Sequence, residues 1–144
     1  METQRVCLDS DVLVDFKRGI GAAADKVREL EDAGARLFTT DINAFELYFG
    51  AYASRRRERN LAEAKRTLEA LGRIEMDDRV AELSGRTLAA LEDRGQVIDI
   101  RDLLIGCTAL GNGCSILTGN IGHFERIPGL NTLQYHRGKT QPST

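Results

Sequence analysis

Four acidic or amide side chains stand at points of this sequence where their neighbours are apolar. They are Asp9 after the run VCL, Glu46 within INAFELYFGAYA, Asp102 within IRDLLIGCTAL, and Asn120 shortly after CSILT. A charge among apolar neighbours is unfavourable unless it is paired. Few basic residues lie beside these positions in the sequence, and Arg101 is the nearest to any of them. We therefore expect a divalent cation to supply the counter-charge.

The ligand types favour a hard cation. Carboxylate oxygens, with water completing the coordination, suit Mg²⁺ or Mn²⁺. The sequence has only two histidines, and its three cysteines (Cys7, Cys107 and Cys114) lie in apolar runs without CxxC spacing. A zinc site is therefore not expected, and we expect the three thiols to be buried and reduced.

Each of the four residues also has a purely structural interpretation. Asp9 can cap the helix that follows it, Glu46 can extend to solvent, and Asp102 can complement a helix dipole in a first turn. Asn120 can be a turn residue. Asp99 is the better cap for the helix containing Asp102, which leaves Asp102 without a capping task.

The apolar pattern predicts short strands that alternate with helices. Strands are predicted at residues 5–8, 36–39, 73–76 and 114–118, with a candidate fifth at 132–135. Helices are predicted after residue 10, at 22–33, after 41, and at 56–71, 77–93 and 100–110. This alternation indicates a parallel sheet covered on both faces, in which ligands bind at the carboxyl ends of the strands. The four polar residues should therefore lie along one edge of the sheet.

Local signals predict where several helices begin and end. Ser10 is the predicted N-cap of the first helix, and Gly34 and Gly72 are expected to follow helix ends. Asp15 is expected on the far side of that first helix from Asp11, in solvent.

Size and composition predict one domain at residues 1–136 and a flexible polar tail at 137–144. The chain has 144 residues, of which 42% are hydrophobic, and no apolar window is long enough to span a membrane. The N-terminus has no secretion signal, so a cytoplasmic location is expected. A net charge of −2 argues against binding nucleic acid over the whole surface. The dense basic stretch SRRRERN (54–60) is either a solvated helix face or a surface that contacts phosphate or a partner.

Four segments resemble the signature blocks of PIN-domain nucleases, and of VapC toxins in particular. The segments CLDSDVLVDF, TTDINAFELYFGA, IDIRDLLIGCTAL and ILTGNIGHFERIPGL occur in the family's order across residues 6–130. The resemblance implies a three-layer α/β/α fold around a central parallel sheet of four to five strands, and an Mg²⁺- or Mn²⁺-dependent endoribonuclease. It places the family's acids on Asp9, Glu46 and Asp102. The fourth position, Asp in many members, falls on Asn120, a neutral residue that argues against a second metal.

The resemblance also implies roles for these residues. Asp9 and Asp102, with Glu46 beside them, would hold the metal, and Glu46 would orient or deprotonate the attacking water. Thr118 and Asn120 would bind the metal's waters or the scissile phosphate. The products would carry a 5′-phosphate and a 3′-hydroxyl.

Further residues and the partners follow from the same resemblance. Asp11 would support the metal through a water, whereas His123 is expected to make a structural hydrogen bond. The implied partners are an RNA substrate, a VapB-like antitoxin and a second copy of the chain, and no membrane. The aromatic stretch FELYFGAY (45–52) is a candidate groove for the antitoxin.

Two other functions remain open from the sequence. LDSDV also fits the motif of haloacid-dehalogenase-type phosphatases, with Asp9 as nucleophile and Asp11 as acid/base. That interpretation leaves Asp102 and LTGNIGHF unexplained. Asn120 favours the second alternative, a catalytically degenerate PIN domain that only binds.

Overall fold

A five-stranded parallel sheet forms the centre of the protein, in the order β3-β2-β1-β4-β5. The computed structural model describes residues 3–136. Within them the strands are β1 (Arg5–Leu8), β2 (Arg36–Thr40), β3 (Gly72–Ile74), β4 (Ser115–Thr118) and β5 (Thr132–Gln134). The helices are α1 (Ser10–Lys17), α2 (Gly21–Asp32), α3 (Asp41–Ala53), α4 (Arg57–Glu69), α5 (Asp78–Asp93), α6 (Ile100–Gly111) and α7 (Ile121–Phe124).

Alternating side chains of the central strands bury both faces of the sheet. Val6 and Leu8 of β1 pack into a core with residues of α1 to α4. Cys7, which points to the other face, packs with residues of α5 to α7, including Leu103 and Phe124. Because successive side chains of a strand point to opposite faces, β1 must be apolar throughout. The predicted three-layer α/β/α fold is confirmed, and the sheet has the larger of the two predicted strand numbers.

The carboxyl edge of the sheet receives the first residues of several helices. Asp9 follows β1 directly and Thr40 ends β2, and these two residues are the N-caps of α1 and α3. Asp99 caps α6, as the sequence predicts, by accepting hydrogen bonds from the backbone N–H groups of Arg101 and Asp102. The helix starts therefore point their N-terminal turns at the same edge as the strand ends.

Two local predictions about helix ends are wrong. Ser10 is the first residue of α1 and not its cap, because the chain passes from β1 into α1 with only Asp9 between them. Gly72 does not end α4, which stops at Glu69, but begins β3. A Cβ on Gly72 would lie 2.5 Å from the Phe38 ring, so this glycine allows β2 and β3 to approach.

Asp15 is buried and not solvated as predicted. Its side chain accepts a hydrogen bond of 2.8 Å from the Tyr135 hydroxyl, which lies just after β5. Both residues are at most 5% exposed. The contact partner is 120 positions away in sequence, so local pattern gave no sign of it.

Three smaller expectations concern the rest of the chain. The three cysteines are buried and unbridged, as predicted. Across residues 3–136, no helix is both long and apolar enough to cross a membrane. The predicted tail at 137–144 lies outside the described residues.

Candidate active site

Asp9 is a buried carboxylate at the end of the central strand. It is 5% exposed, and its two oxygens accept hydrogen bonds from the Ser10 backbone N–H (2.9 Å), Asn43 Nδ2 (3.1 Å) and Thr118 Oγ1 (2.7 Å). Burial, and then the nearby charge of Asp11, raise the pKa of Asp9 to about 6. All three donors are neutral, so they stabilise the carboxylate without cancelling its charge.

A chain of hydrogen bonds connects Asp9 to Glu46. Asn43 Nδ2 donates both to Asp9 Oδ1 and, over 2.8 Å, to Ser10 Oγ. The Ser10 hydroxyl donates over 2.6 Å to Glu46 Oε1. Asn43 is fully buried, and it also completes the capping box with Thr40 at the start of α3. The same local motif that starts α3 therefore fixes the distance between α3 and the first acid.

Glu46 also approaches α6 through an arginine. Arg101 Nη1 lies 3.6 Å from Glu46 Oε2, and Arg101 Nε lies 3.7 Å from Asp99 Oδ1. The Glu46 side chain is 23% exposed, so it neither reaches fully into solvent nor lies in the core. The ion pair links α3 to the helix start that carries Asp102.

Asp102 faces α7. Its Oδ2 is 2.9 Å from His123 Nδ1, so this histidine makes a hydrogen bond and its partner is a predicted site residue. Burial raises the pKa of Asp102, and the hydrogen bond and the charge of His123 partly oppose that shift. The Asp102 side chain is 22% exposed and therefore still accessible to water.

Asp11 and Thr118 join the start of α1 to the end of β4. Asp11 Oδ2 accepts a hydrogen bond of 2.8 Å from the Gly119 backbone N–H, and a Cβ on Gly119 would lie 2.7 Å from that oxygen. Thr118 Oγ1 donates to Asp9 and accepts from the Asn120 backbone N–H over 2.9 Å. Asn120 itself is exposed and precedes α7. Burial raises the pKa of Asp11.

Hydrogen bonds thus connect two of the predicted acids, Asp9 and Glu46, whereas Asp102 contacts His123 instead and Asn120 contributes its backbone through Thr118. Asp9, Asn43, Ser10, Glu46 and Arg101 form one continuous set of contacts. In the part of the chain that the structure describes, no group of three or more His, Cys, Asp or Glu side chains is close enough to hold a metal. The donor set fits a hydrated Mg²⁺, which binds one or two carboxylates and keeps several waters. It does not fit a cation enclosed by protein ligands alone.

The sequence model of the PIN domain matches residues 6–130. The chain belongs to the PIN domain family. The family resemblance inferred from the four sequence segments is therefore confirmed, and the matched range runs from β1 to the second residue before β5.

Relatives of this PIN domain are ribonucleases by name. The chain is 30% identical over 123 residues to ribonuclease VapC19 of Mycobacterium tuberculosis, covering 85% of this chain and 94% of the relative. It is 32% identical over 96 residues to the tRNA(fMet)-specific endonuclease VapC of Salmonella typhimurium, covering 67% of this chain and 73% of the relative. The solved structure of DNA-bound VapBC from Salmonella typhimurium superposes with a TM-score of 0.83 at 25% identity, covering 93% of this chain and all of that one.

Sequence reasoning missed two residues of this PIN-domain edge. Asn43 reads as an ordinary helix-start residue, and only its pairing with Thr40 in a capping box signals that it is held in place. Arg101 was noticed only as the nearest base in the sequence, and its ion-pair partners are Glu46 on another helix and Asp99. Both positions depend on how α3 and α6 pack, which the sequence does not state locally.

Proposed function

We propose that this PIN-domain protein is an endoribonuclease that hydrolyses RNA phosphodiester bonds with the help of Mg²⁺ or Mn²⁺. The observation that supports the proposal most is Asp9, a buried carboxylate with a pKa raised to about 6 and only neutral hydrogen-bond donors. A perturbed acid at the carboxyl edge of a parallel sheet is a typical functional group. The ribonuclease names of the relatives support the same activity.

The residues divide between holding the cation and handling water. Asp9 and Asp102 would hold it, with Glu46 close by. When bound, the cation would lower the pKa of a water and stabilise charge that develops on the phosphate. Glu46, held at one oxygen by the Ser10 hydroxyl, would orient that water or accept its proton.

The remaining predicted residues would position these groups. Asp11 is held by a hydrogen bond from the Gly119 backbone, and its charge is close enough to raise the pKa of Asp9. It would therefore bind a water of the cation. Thr118 fixes one oxygen of Asp9, and Asn120 is exposed where a scissile phosphate would approach. Attack on phosphorus in line with the leaving oxygen would give a 5′-phosphate and a 3′-hydroxyl.

We infer further that the protein is the toxin of a toxin–antitoxin pair and acts in the cytoplasm, where its RNA substrate is found. A VapBC complex is among the structures that share the fold, which supports a VapB-like antitoxin as partner. The exposed aromatic side chains of α3 line a cavity of about 520 Å³. They include Phe45, Phe49 and Tyr52, each more than half exposed. This surface would seat the antitoxin segment, and a homodimer is the proposed assembly.

The test is cleavage of total RNA by the purified protein with and without Mg²⁺. We expect cleavage by the wild type that EDTA abolishes and that Asp102→Ala and Glu46→Gln remove. Asp78→Ala is the matched control, because Asp78 is also a first-turn helix acid but lies exposed on α5. Expression of the wild type should arrest growth, and Asp102→Ala should rescue it.

Two results would contradict the proposal. Wild-type protein that binds RNA but never cleaves it with Mg²⁺ or Mn²⁺ would favour the degenerate binding module. A covalent aspartyl-phosphate trapped on Asp9, with activity surviving in Glu46→Gln, would favour the phosphatase.

A further inference from the structure

Arg101 is a basic side chain that lies close to the acids of this edge. Its guanidinium stands between Glu46 of α3 and Asp99, the N-cap of α6, at 3.6 and 3.7 Å. The next residue is Asp102. The Arg101 side chain is 52% exposed, so one side of it is open to solvent.

The two ion pairs are too weak for the main role of Arg101 to be stabilisation of the fold. Both distances exceed those of a charged hydrogen bond, and half-exposed ion pairs contribute little to folding. The start of α6 needs no help from the guanidinium, because Asp99 already accepts from the backbone N–H groups of Arg101 and Asp102. The side chain is therefore held near the edge without being fixed there.

An incoming RNA phosphate would meet repulsion at this edge. Asp9, Asp11, Glu46 and Asp102 all carry carboxylates on the elements that end or begin there. Repulsion between like charges grows as water is excluded. A guanidinium presents five N–H donors in a planar fork that matches phosphate oxygens.

We propose that Arg101 is a substrate-binding residue that donates hydrogen bonds to a backbone phosphate of the RNA. This inference rests on the proposed ribonuclease function. When RNA binds, the guanidinium exchanges Glu46 for the phosphate, and Glu46 keeps its hydrogen bond from Ser10. RNA binding and the release of one Glu46 oxygen are thereby linked.

The test measures RNA affinity without cleavage. All variants carry Glu46→Gln, which prevents hydrolysis and also removes the ion pair through which Arg101 could act indirectly. Fluorescence anisotropy with a labelled single-stranded RNA, in Mg²⁺ and at several salt concentrations, compares this background with added Arg101→Gln, Arg101→Lys or Arg86→Gln. Arg86 is the matched control, an exposed arginine whose Nη1 lies 3.8 Å from Glu82 on α5.

We expect Arg101→Gln to weaken RNA binding roughly tenfold, the effect of losing one charged hydrogen bond. The slope of log affinity against log salt should become shallower by about 0.7, the value for one phosphate contact with a single strand. Arg101→Lys should keep the slope and lose part of the affinity, because it keeps the charge but not the fork. Arg86→Gln should change neither quantity.

The outcomes separate this inference from the function on which it rests. If Arg101→Gln binds RNA with unchanged affinity and slope while the wild type cleaves RNA, the inference is wrong and the nuclease stands. An equal loss in Arg86→Gln also overturns it, because the effect would then be one of net charge. A wild type that does not cleave RNA overturns both.

Discussion

Replacing Asp9 by Asn should make the metal-free protein more stable at neutral pH. The substitution keeps the size of the side chain and removes the charge. Its carbonyl oxygen can still accept from the Ser10 N–H and from Asn43, and its amide can donate to the Thr118 oxygen instead of accepting from that hydroxyl. The change therefore isolates the cost of burying the charge.

The magnitude follows from the pKa of Asp9. A rise from the ordinary 3.8 to about 6 means that the folded protein holds this proton more tightly than the unfolded chain does. The contribution of Asp9 to the free energy of unfolding is therefore largest below pH 3.8, and it is lost as the pH rises to about 6. At ~1.36 kcal/mol per pKa unit the full loss is about 3 kcal/mol. Because the new contact with Thr118 is less favourable, we expect Asp9→Asn to raise the free energy of unfolding by about 2 kcal/mol above pH 6.

Urea unfolding of both proteins in EDTA, from pH 4 to pH 7.5, measures the difference. The gain in unfolding free energy should be full at pH 7.5 and shrink steadily as the pH falls toward 4. Asp25→Asn, on the exposed surface of α2, is the control and should stay within about 0.5 kcal/mol of the wild type. Mg²⁺ should stabilise the wild type and leave Asp9→Asn unchanged, because a ligand stabilises only the form that binds it.

A loss of stability in Asp9→Asn at pH 7.5 would refute this reasoning. So would a difference between the two proteins that is the same at pH 4 and pH 7.5, because the effect would then arise from packing or hydrogen bonding and not from charge.

Two further predictions concern residues that hold the edge in place. Asn43→Ala removes both the capping box of α3 and the donor shared by Asp9 and Ser10, so urea unfolding should show a loss of roughly 2–4 kcal/mol. Asn60→Ala, which loses one partly buried hydrogen bond to Ser54, should cost less than half of that, and equal losses would contradict the role of Asn43. Gly106→Ala places a methyl group against Ile127 Cδ1 and should cost about 1–3 kcal/mol in the same assay. Gly85→Ala has open space on α5 and should instead stabilise the protein by roughly 0.5–1 kcal/mol, and a similar loss in both would show that space does not decide the result.

The sequence was most informative where one local pattern decided the outcome. The bounds of β1 agree with the prediction because four residues, RVCL, are followed at once by a charged cap. The cap of α6 also agrees, since Asp99 is the only acid at the right spacing before an apolar helix. Parallel strands end at one edge by topology, so the approximate place of Asp9, Glu46 and Asp102 followed from the fold.

The sequence was less informative where a distant side chain decides the environment. Asp15 is acidic and was expected in solvent, but it is buried and accepts a hydrogen bond from Tyr135, which lies just after β5. Gly72 looked like a helix end, but the ring of Phe38 on the neighbouring strand requires a glycine there. Asn43 and Arg101 belong to the site through contacts between helices, and such contacts leave no periodic signal along the chain.

The two acids of α1, and the acid that caps this helix, each accept a hydrogen bond from a residue more than 100 positions further along the chain. Asp9 is bound by Thr118, Asp11 by Gly119 and Asp15 by Tyr135, at separations of 109, 108 and 120 residues. Contacts so remote in sequence form late in folding. During synthesis the first half of the protein leaves the ribosome long before Thr118, Gly119 and Tyr135 have been added to the chain. A polypeptide cut short before these residues would therefore contain Asp9, Asp11 and Asp15 but would lack the contacts that hold them in place.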